Sequence, residues 1–264
     1  MTETDYAIAY KVNRAGKHLK ELHRTVKRFL AGNTNSVVND DTSAPGYLIV
    51  KATSRGAPPP SCSGLIGETL YHQRAALDYM ACDLARYNGQ VVDEHVEFPI
   101  FIKPDRFRNP VTGKLTPAVD KRMGLLRSDH QKVIEEEQPF RELYGKPEDD
   151  PLWLLYCLSN FDRHQFIHVT SIITNTSFHS FAPPETAARF EEVSVSYGAF
   201  ESEAEVARFR ILDGPELNVH VESNVRFDVA FSEEGPGGGR QVIKTLADIQ
   251  LRIAGIMKRF TSLV

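Results

Sequence analysis

The two ends of the chain carry the same apolar pattern, and this pattern constrains the fold more than any other feature. In residues 5–31 and 241–263, apolar side chains recur at alternating spacings of four and three, as in a helix-packing seam. The positions are Ile8, Val12, Ala15, Leu19, Leu22, Val26 and Phe29, then Val242, Leu246, Ile249, Ile253, Ile256, Phe260 and Leu263. We expect two long helices that pack in one bundle, with a homodimer through these helices as the alternative.

Three further helices are predicted between the ends, at residues 64–87, 117–138 and 151–173. The first and last of these have polar residues where the helical period demands apolar ones. Gln73 fills such a position in the first, and Asp162 fills one in the last. We therefore expect polar groups to interrupt the packing between these two helices.

Residues 190–232 have a period of two, in which apolar side chains alternate with serine, arginine, asparagine or histidine. This pattern, with a turn signal at Asp213-Gly214, predicts an antiparallel meander with one apolar face. Residues 96–102 also alternate, and a proline confines that strand to a sheet edge.

The predicted fold class is α+β: a single domain, residues 1–264, in which a bundle of four to five long helices carries an attached antiparallel β-meander.

Composition narrows the functional classes. The net charge of −4 argues against a broad electrostatic grip on nucleic acid, although the basic first helix keeps RNA as a candidate partner. Three cysteines without metal-type spacing indicate a reducing compartment. The sequence shows neither a secretory signal nor an apolar run of about 20 residues that could span a membrane. We expect a cytoplasmic protein without a membrane partner.

Two helical motifs contain most of the candidate functional residues. Residues 67–79 read Gly-Glu-Thr-Leu-Tyr-His-Gln-Arg-Ala-Ala-Leu-Asp-Tyr, residues 98–100 read Phe-Pro-Ile, and residues 158–164 read Leu-Ser-Asn-Phe-Asp-Arg-His. In this order they resemble an actinobacterial-type family of uncharacterised bacterial proteins. That family has a Gly-Asp-x-Leu-His-Asn-Leu-Arg-Ser-Ala-Leu-Asp-His helix, a Phe-Pro-Ile segment and a Leu-x-Asn-x-Asp-Lys-His-Arg helix. The chain departs from the pattern at Tyr71 and Tyr79, where the family has histidines, and at His72, where it has asparagine. The resemblance implies positions rather than an activity.

The hydrophilic residues of the two motifs are expected to meet where their helices meet. They are Arg74, Asp78, Asp162, Arg163, His164 and His168. On one interpretation they are structural: Arg74 and Asp78 pair at i, i+4, and buried partners satisfy Asp162, which fixes the helix register. The function predicted on this basis is interaction or structural support by a bundle with a buried polar cluster.

A second interpretation is a metal-independent ribonuclease. Arg163 and His168 have the spacing of the arginine and histidine in HEPN-type helical-bundle ribonucleases, which this region distantly resembles. The histidine would transfer a proton and the arginine would hold the phosphate. A straight helix separates these two side chains by about 140°, so they converge only if the helix is kinked or begins nearby. Arg74, Asp78 and Asp162 are the further catalytic candidates.

A third interpretation is a metal-dependent hydrolase. His164 and His168 stand at i, i+4 and would point from one side of the predicted helix, as two metal ligands should. His72 or Asp78 on the neighbouring helix is the candidate third ligand, and the bound group would be a divalent metal.

Overall fold

The computed structural model describes residues 3–32, 35–40, 42–54, 56–182, 190–200, 202–212 and 220–261. The described residues form seven α-helices, two single-turn 3-10 helices and two antiparallel sheets. The α-helices are α1 (Glu3–Ala31), α2 (Ser61–Tyr87), α3 (Pro104–Phe107), α4 (Pro117–Met123), α5 (Ser128–Glu136), α6 (Pro151–Asp162) and α7 (Val242–Thr261). The predicted bundle of four to five long helices with one attached meander is wrong, because most of these helices are short and the strands form two sheets.

The terminal seams correspond to α1 and α7. Leu246, Ile249 and Ile253 of α7 are fully buried, and so are Ala15 and Leu22 of α1. These apolar positions are buried within a single chain, so they offer no support for a homodimer through the long helices.

The helix predicted for residues 117–138 is wrong as one continuous element. It is divided into α4 and α5, which are separated at Gly124. A Cβ atom at Gly124 would lie 2.5 Å from the Asp120 carbonyl oxygen, so the chain approaches itself too closely there for another residue. Glycine also has a low helix propensity, which favours a break at this position.

The helix predicted for residues 151–173 is wrong beyond its first half. Asp150 caps its start by accepting a hydrogen bond from the Leu152 N–H at 2.8 Å, and the helix ends at Asp162. From Val169 to Ala182 the chain is a β-strand. The reason is local: valine, isoleucine and threonine dominate the start of this strand, and β-branched side chains favour extended backbone.

The chain divides into two compact units. The first contains the residues before His23, residues 63–167 and the residues from Ile243 onward, so it holds α3 to α6 and most of α1, α2 and α7. The second contains residues 23–62 and 168–242.

In the second unit, the strands are β1 (Asn35–Asp40), β2 (Tyr47–Ser54), β3 (Val169–Ala182), β4 (Phe190–Val195), β5 (Gly198–Phe200), β6 (Glu203–Ile211) and β7 (His220–Phe231). They form one sheet in the order β1-β2-β6-β4 and another in the order β5-β3-β7. Both sheets contribute to one apolar core, with Val50 and Val206 from the first and Ile173 and Val221 from the second. The predicted turn at Asp213-Gly214 lies outside the described residues.

The predicted edge strand at residues 96–102 is also wrong, because the segment is extended but pairs with no strand in the part of the chain that the structure describes. Side chains satisfy its backbone instead. The Phe98 N–H donates to Asp78 Oδ1 at 3.0 Å, and the Phe101 N–H donates to Gln138 Oε1 at 2.9 Å. Gln138 Nε2 in turn donates to the Pro99 carbonyl at 2.8 Å. A buried backbone therefore finds its partners without a sheet.

The three cysteines of the chain are unpaired. Cys62, Cys82 and Cys157 are free thiols. Burial raises the pKa of Cys62 and of Cys157 to about 11, which keeps both thiols protonated and unreactive near neutral pH. Among the described helices, none combines the length and the hydropathy needed to cross a membrane.

Candidate functional site

One face of α2 organises the polar residues of the first unit. Gly67, Tyr71, Arg74 and Asp78 follow one another at spacings of four, three and four, so they lie along one side of the helix. Gln73 points elsewhere: its Nε2 donates to the Leu246 carbonyl of α7 at 2.9 Å. The out-of-pattern glutamine therefore joins two helices, whereas Arg74 and Asp78 lie on another side of α2 and contact residues 97 and 98.

Arg74 and Asp78 form the predicted pair and extend it to the next segment. Arg74 Nε donates to Asp78 Oδ2 at 3.1 Å, and its Nη2 lies 3.0 Å from Asp78 Oδ1. The same Nη2 donates to the Phe98 carbonyl at 2.8 Å. Only 12% of the Arg74 side chain is exposed, so these are low-dielectric contacts that stabilise more than surface pairs do.

Glu97 extends this network to α4. One of its carboxylate oxygens lies 3.4 Å from Arg74 Nη2, and the other accepts from Arg122 Nε. Arg122 Nη1 also donates to the Ala118 carbonyl at 2.7 Å. Burial raises the pKa of Asp78, and the positive charge of Arg74 together with the Phe98 N–H opposes that rise. The network thus holds α2, the extended segment and α4 together through charge-assisted hydrogen bonds.

Asp162 occupies a different environment at the end of α6. A Cβ atom at Gly67 would lie 2.6 Å from Asp162 Oδ2, so the carboxylate rests against the bare backbone of α2. No hydrogen bond to this carboxylate occurs among the described residues. Burial raises the pKa of Asp162, which is the expected effect of removing a charge from water without giving it a partner.

Four of the six predicted site residues line one open cleft of about 210 Å³, which we call the central cleft. They are Arg74, Asp78, Asp162 and Arg163, and the cleft also includes Leu70, Tyr71, Ala75 and Ser159. The two helices therefore do bring their polar residues together. The place is an open depression and not a sealed core.

His164 and His168 do not line this cleft. Both follow the end of α6, so the helical i, i+4 geometry that made them candidate metal ligands does not exist. The same helix end removes the geometric premise for pairing Arg163 with His168. In the described part of the chain, no three histidine, cysteine, aspartate or glutamate side chains come together in a way that could hold a metal ion. His72 is therefore not part of such a group.

A second depression, of about 340 Å³, shares Arg74 with the central cleft, and we call it the basic aromatic cleft. Its cationic residues are Arg74, Lys103, Arg106 and Arg122; its aromatic residues are Phe98, Phe101, Trp153 and Tyr156; Glu97, Ile100, Ile102 and Ala118 complete it. The Trp153 and Tyr156 rings stack with centroids 5.1 Å apart and an interplanar angle of 20°. The cleft thus combines positive charge with flat apolar surface.

A third depression, of about 470 Å³, lies between α1 and α2, and we call it the histidine cleft. It is lined by Arg14, His18, Ser63, Gly64, Gly67, Glu68, Tyr71, His72, Asp162 and Phe166. The His18 and His72 rings stack with centroids 5.4 Å apart and nearly parallel planes. Burial lowers the pKa of His72, and the positive charges of Lys11 and Arg14 lower it further.

His18 is 8% exposed, and its ring nitrogens are poorly satisfied. Nδ1 lies 2.9 Å from Glu68 Oε2, an ion-pair distance without the alignment of a hydrogen bond. Nε2, like Nδ1 of His72, has no hydrogen-bond partner among the described residues. The histidine cleft therefore holds two stacked imidazoles with buried nitrogens that lack partners among the described residues.

Sequence reasoning missed the basic aromatic cleft and His18. A signal existed for each. His18 stands three residues after Ala15 and four before Leu22, so it lies on the buried face of the first helix. Trp153 and Tyr156 are spaced at i, i+3, which places this pair on one side of the predicted helix. Lys103 and Arg106 have the same spacing, but Lys103 precedes α3 and is extended.

Comparison with known proteins finds no matching family model, no matching curated protein and no matching solved structure. The function of this chain is therefore argued from the chemistry of its own clefts.

Proposed function

We propose that this protein binds a small anionic ligand that carries a flat unsaturated ring, of the mononucleotide class, in the basic aromatic cleft. One observation carries the proposal: Lys103 and Arg106, which have no ion-pair partner among the described residues, share a cleft with the stacked rings of Trp153 and Tyr156. The two cations can bind a phosphate, and the two aromatic rings can stack with a nucleobase.

The cations of the cleft differ in how much of their charge is already neutralised. Arg74 and Arg122 both contact Glu97, and Arg74 also pairs with Asp78. For Lys103 and Arg106, no ion pair exists within the described ranges, and both side chains are exposed. Their charges are therefore available to a ligand, whereas Glu97 and Asp78 already balance the charges of the paired arginines.

The aromatic side of the cleft offers a surface that a second ring can cover. Trp153 and Tyr156 already lie nearly parallel, and 39% of Tyr156 is exposed. Arg122 also lies over the Phe101 ring, with its guanidinium carbon 5.8 Å from the centroid. Stacking on such a surface contributes about 1–3 kcal/mol per base. The cleft volume of about 340 Å³ is within the range for small-molecule sites.

The structure supports some of the hypotheses drawn from the sequence less well than others. A nucleotide ligand keeps RNA as a candidate partner. The Arg163–His168 ribonuclease and the metal-dependent hydrolase have lost the helix on which their spacing relied, so we do not base a function on them. We retain the cytoplasm as the proposed location, since three free cysteines suit a reducing compartment. A homodimer and an interaction role for the central cleft stay hypotheses that dimer and pull-down measurements would test.

The single tryptophan makes the proposal easy to test, because Trp153 is both the only indole of the chain and part of the cleft. Titration with AMP, GMP, UMP and CMP should change its fluorescence in a saturable way. Adenosine and inorganic phosphate each lack half of the proposed interactions and should bind more weakly. Calorimetry under the same conditions provides a check that does not depend on the fluorophore.

Arg106→Gln should weaken nucleotide binding about tenfold, because a charged hydrogen bond to phosphate contributes about 1.5–3 kcal/mol. Lys121→Gln removes one exposed positive charge from α4 outside the cleft and should leave binding unchanged. Failure of all four mononucleotides to bind at millimolar concentration, or an equal loss in both variants, would overturn the proposal.

A further inference from the structure

The three clefts form a connected series beside α2, and the basic aromatic cleft includes one α2 residue, Arg74. Arg74 lines both the basic aromatic cleft and the central cleft. Tyr71 and Asp162 line both the central cleft and the histidine cleft. Each cleft is therefore joined to the next by a shared wall, and the series runs from Trp153 at one end to His18 at the other.

Each member of the series offers the same two kinds of contact. The basic aromatic cleft has three arginines and the Trp153–Tyr156 stack. The central cleft has Arg74 and Arg163 with Tyr71, and the histidine cleft has Arg14 with Phe166. Tyr71 and Phe166 are 61% and 54% exposed, and the Lys11 ammonium lies 4.6 Å from the centroid of the Tyr71 ring. Cations alternating with accessible rings are the surface that single-stranded nucleic acids recognise.

We propose that this series of clefts binds a single-stranded oligonucleotide along α2, with one nucleotide in the basic aromatic cleft. This inference rests on the proposed function and extends it from one nucleotide to a short strand. From Gly67 to Asp78 the helix rises about 16 Å, which corresponds to no more than about five stacked nucleotides at 3.4 Å each.

The charge of the series favours a polyanion. Six arginine or lysine side chains line the three clefts against four carboxylates, whereas the whole chain has a net charge of −4. Three of those carboxylates are engaged: Asp78 and Glu97 contact arginines, and Glu68 lies beside His18. The three clefts therefore carry a local excess of positive charge along the path proposed for the phosphates.

The test is a length series of oligoadenylates from one to eight nucleotides, measured by Trp153 fluorescence and by calorimetry. Affinity should rise several-fold with each added nucleotide and level off at about five, because each base adds a stacking contact. Affinity should also fall with rising salt, and more steeply for longer strands. A matched series of deoxyoligonucleotides shows whether the sugar is read; binding of either series with this length dependence supports the proposal.

Two variants at the far end separate this inference from the proposed function. Phe166→Ala and Arg14→Gln should each weaken pentanucleotide binding at least about fivefold while mononucleotide binding stays unchanged. Lys20→Gln, an exposed change on α1 outside the clefts, is the control. Melting curves confirm that each variant is folded, and Arg14→Gln carries the test if Phe166→Ala is not.

Each remaining outcome has one meaning. Mononucleotide binding without length dependence would overturn the extended site alone. Loss of mononucleotide binding would overturn the proposed function and the inference with it. Equal affinity for a duplex of the same length would also overturn the inference, because a base-paired strand cannot place its bases on Tyr71 and Phe166.

Discussion

Two regions along α2 use polar side chains in opposite ways. Around Phe98, the groups of Arg74, Asp78, Glu97 and Gln138 are nearly all engaged, and they replace the sheet that the extended segment lacks. Around Asp162, the carboxylate and the buried nitrogens of His18 and His72 lack hydrogen bonds to the described residues. The first region has its hydrogen bonds built into the fold. The second has polar groups that only water or a ligand can satisfy, which is the property expected of a site.

The largest loss of stability should come from removing a carboxylate of the hydrogen-bonded network around Phe98. Asp78→Ala leaves the Arg74 guanidinium without one of its two carboxylate partners and the Phe98 N–H without an acceptor. We expect a loss of about 3 kcal/mol in the free energy of unfolding, measured by urea denaturation. Asp83→Ala, one turn away and outside the network, should change stability by less than about 0.5 kcal/mol. Equal losses in the two variants would show that the network does not support the fold.

The contact between the two helices at Asp162 should give the next largest effect. Gly67→Ala places a methyl group 2.6 Å from Asp162 Oδ2, and we expect a loss of about 1–2 kcal/mol from overpacking. Gly64→Ala, on the same helix with open space around it, should instead stabilise the protein by about 0.5–1 kcal/mol. Adding Asp162→Ala to Gly67→Ala should recover most of the loss. A stabilising Gly67→Ala would contradict the close approach.

Removing the charge of Asp162 should have a smaller effect of the opposite sign. Because burial raises the pKa of Asp162, the folded protein binds its proton more readily, and ionisation destabilises the fold as pH rises above about 4. Asp162→Asn should therefore be more stable than the parent at pH 7, by less than about 1 kcal/mol. This difference should shrink as the pH falls through 4. Destabilisation at pH 7 would mean that the carboxylate has a bonding partner.

The smallest effect should come from His72 and should appear only in acid. Because burial and neighbouring cations lower the pKa of His72, its stability contribution is present above the ordinary histidine pKa of about 6.5 and is lost as pH falls below it. Between pH 7 and 5, the free energy of unfolding, measured by urea denaturation, should fall less in His72→Asn than in the parent. The difference should be a few tenths of a kcal/mol. His164→Asn, at an exposed position, should leave that slope unchanged. Identical slopes in all three proteins would exclude His72 as an acid-sensitive group.

The sequence by itself determined the features that depend on near neighbours along the chain. The seams of α1 and α7 and the pairing of Arg74 with Asp78 follow from helical periodicity, which brings residues three or four apart onto one face. The sequence did not reveal that α6 ends at Asp162 and that a strand begins at Val169. A short run of buried apolar residues fits the period of a helix and also fits a strand that is buried on both faces.

Only the tertiary structure decided what depends on distant parts of the chain. Gln138 and Asp78 satisfy the backbone near Phe98 from 37 and 20 residues away, so no local pattern could distinguish that segment from an edge strand. The same holds for the three clefts, whose walls come from α1, α2, α6 and the segments between them. Periodicity shows which side of a helix is polar. The packing of separate helices decides whether that side is sealed, satisfied or left open to a ligand.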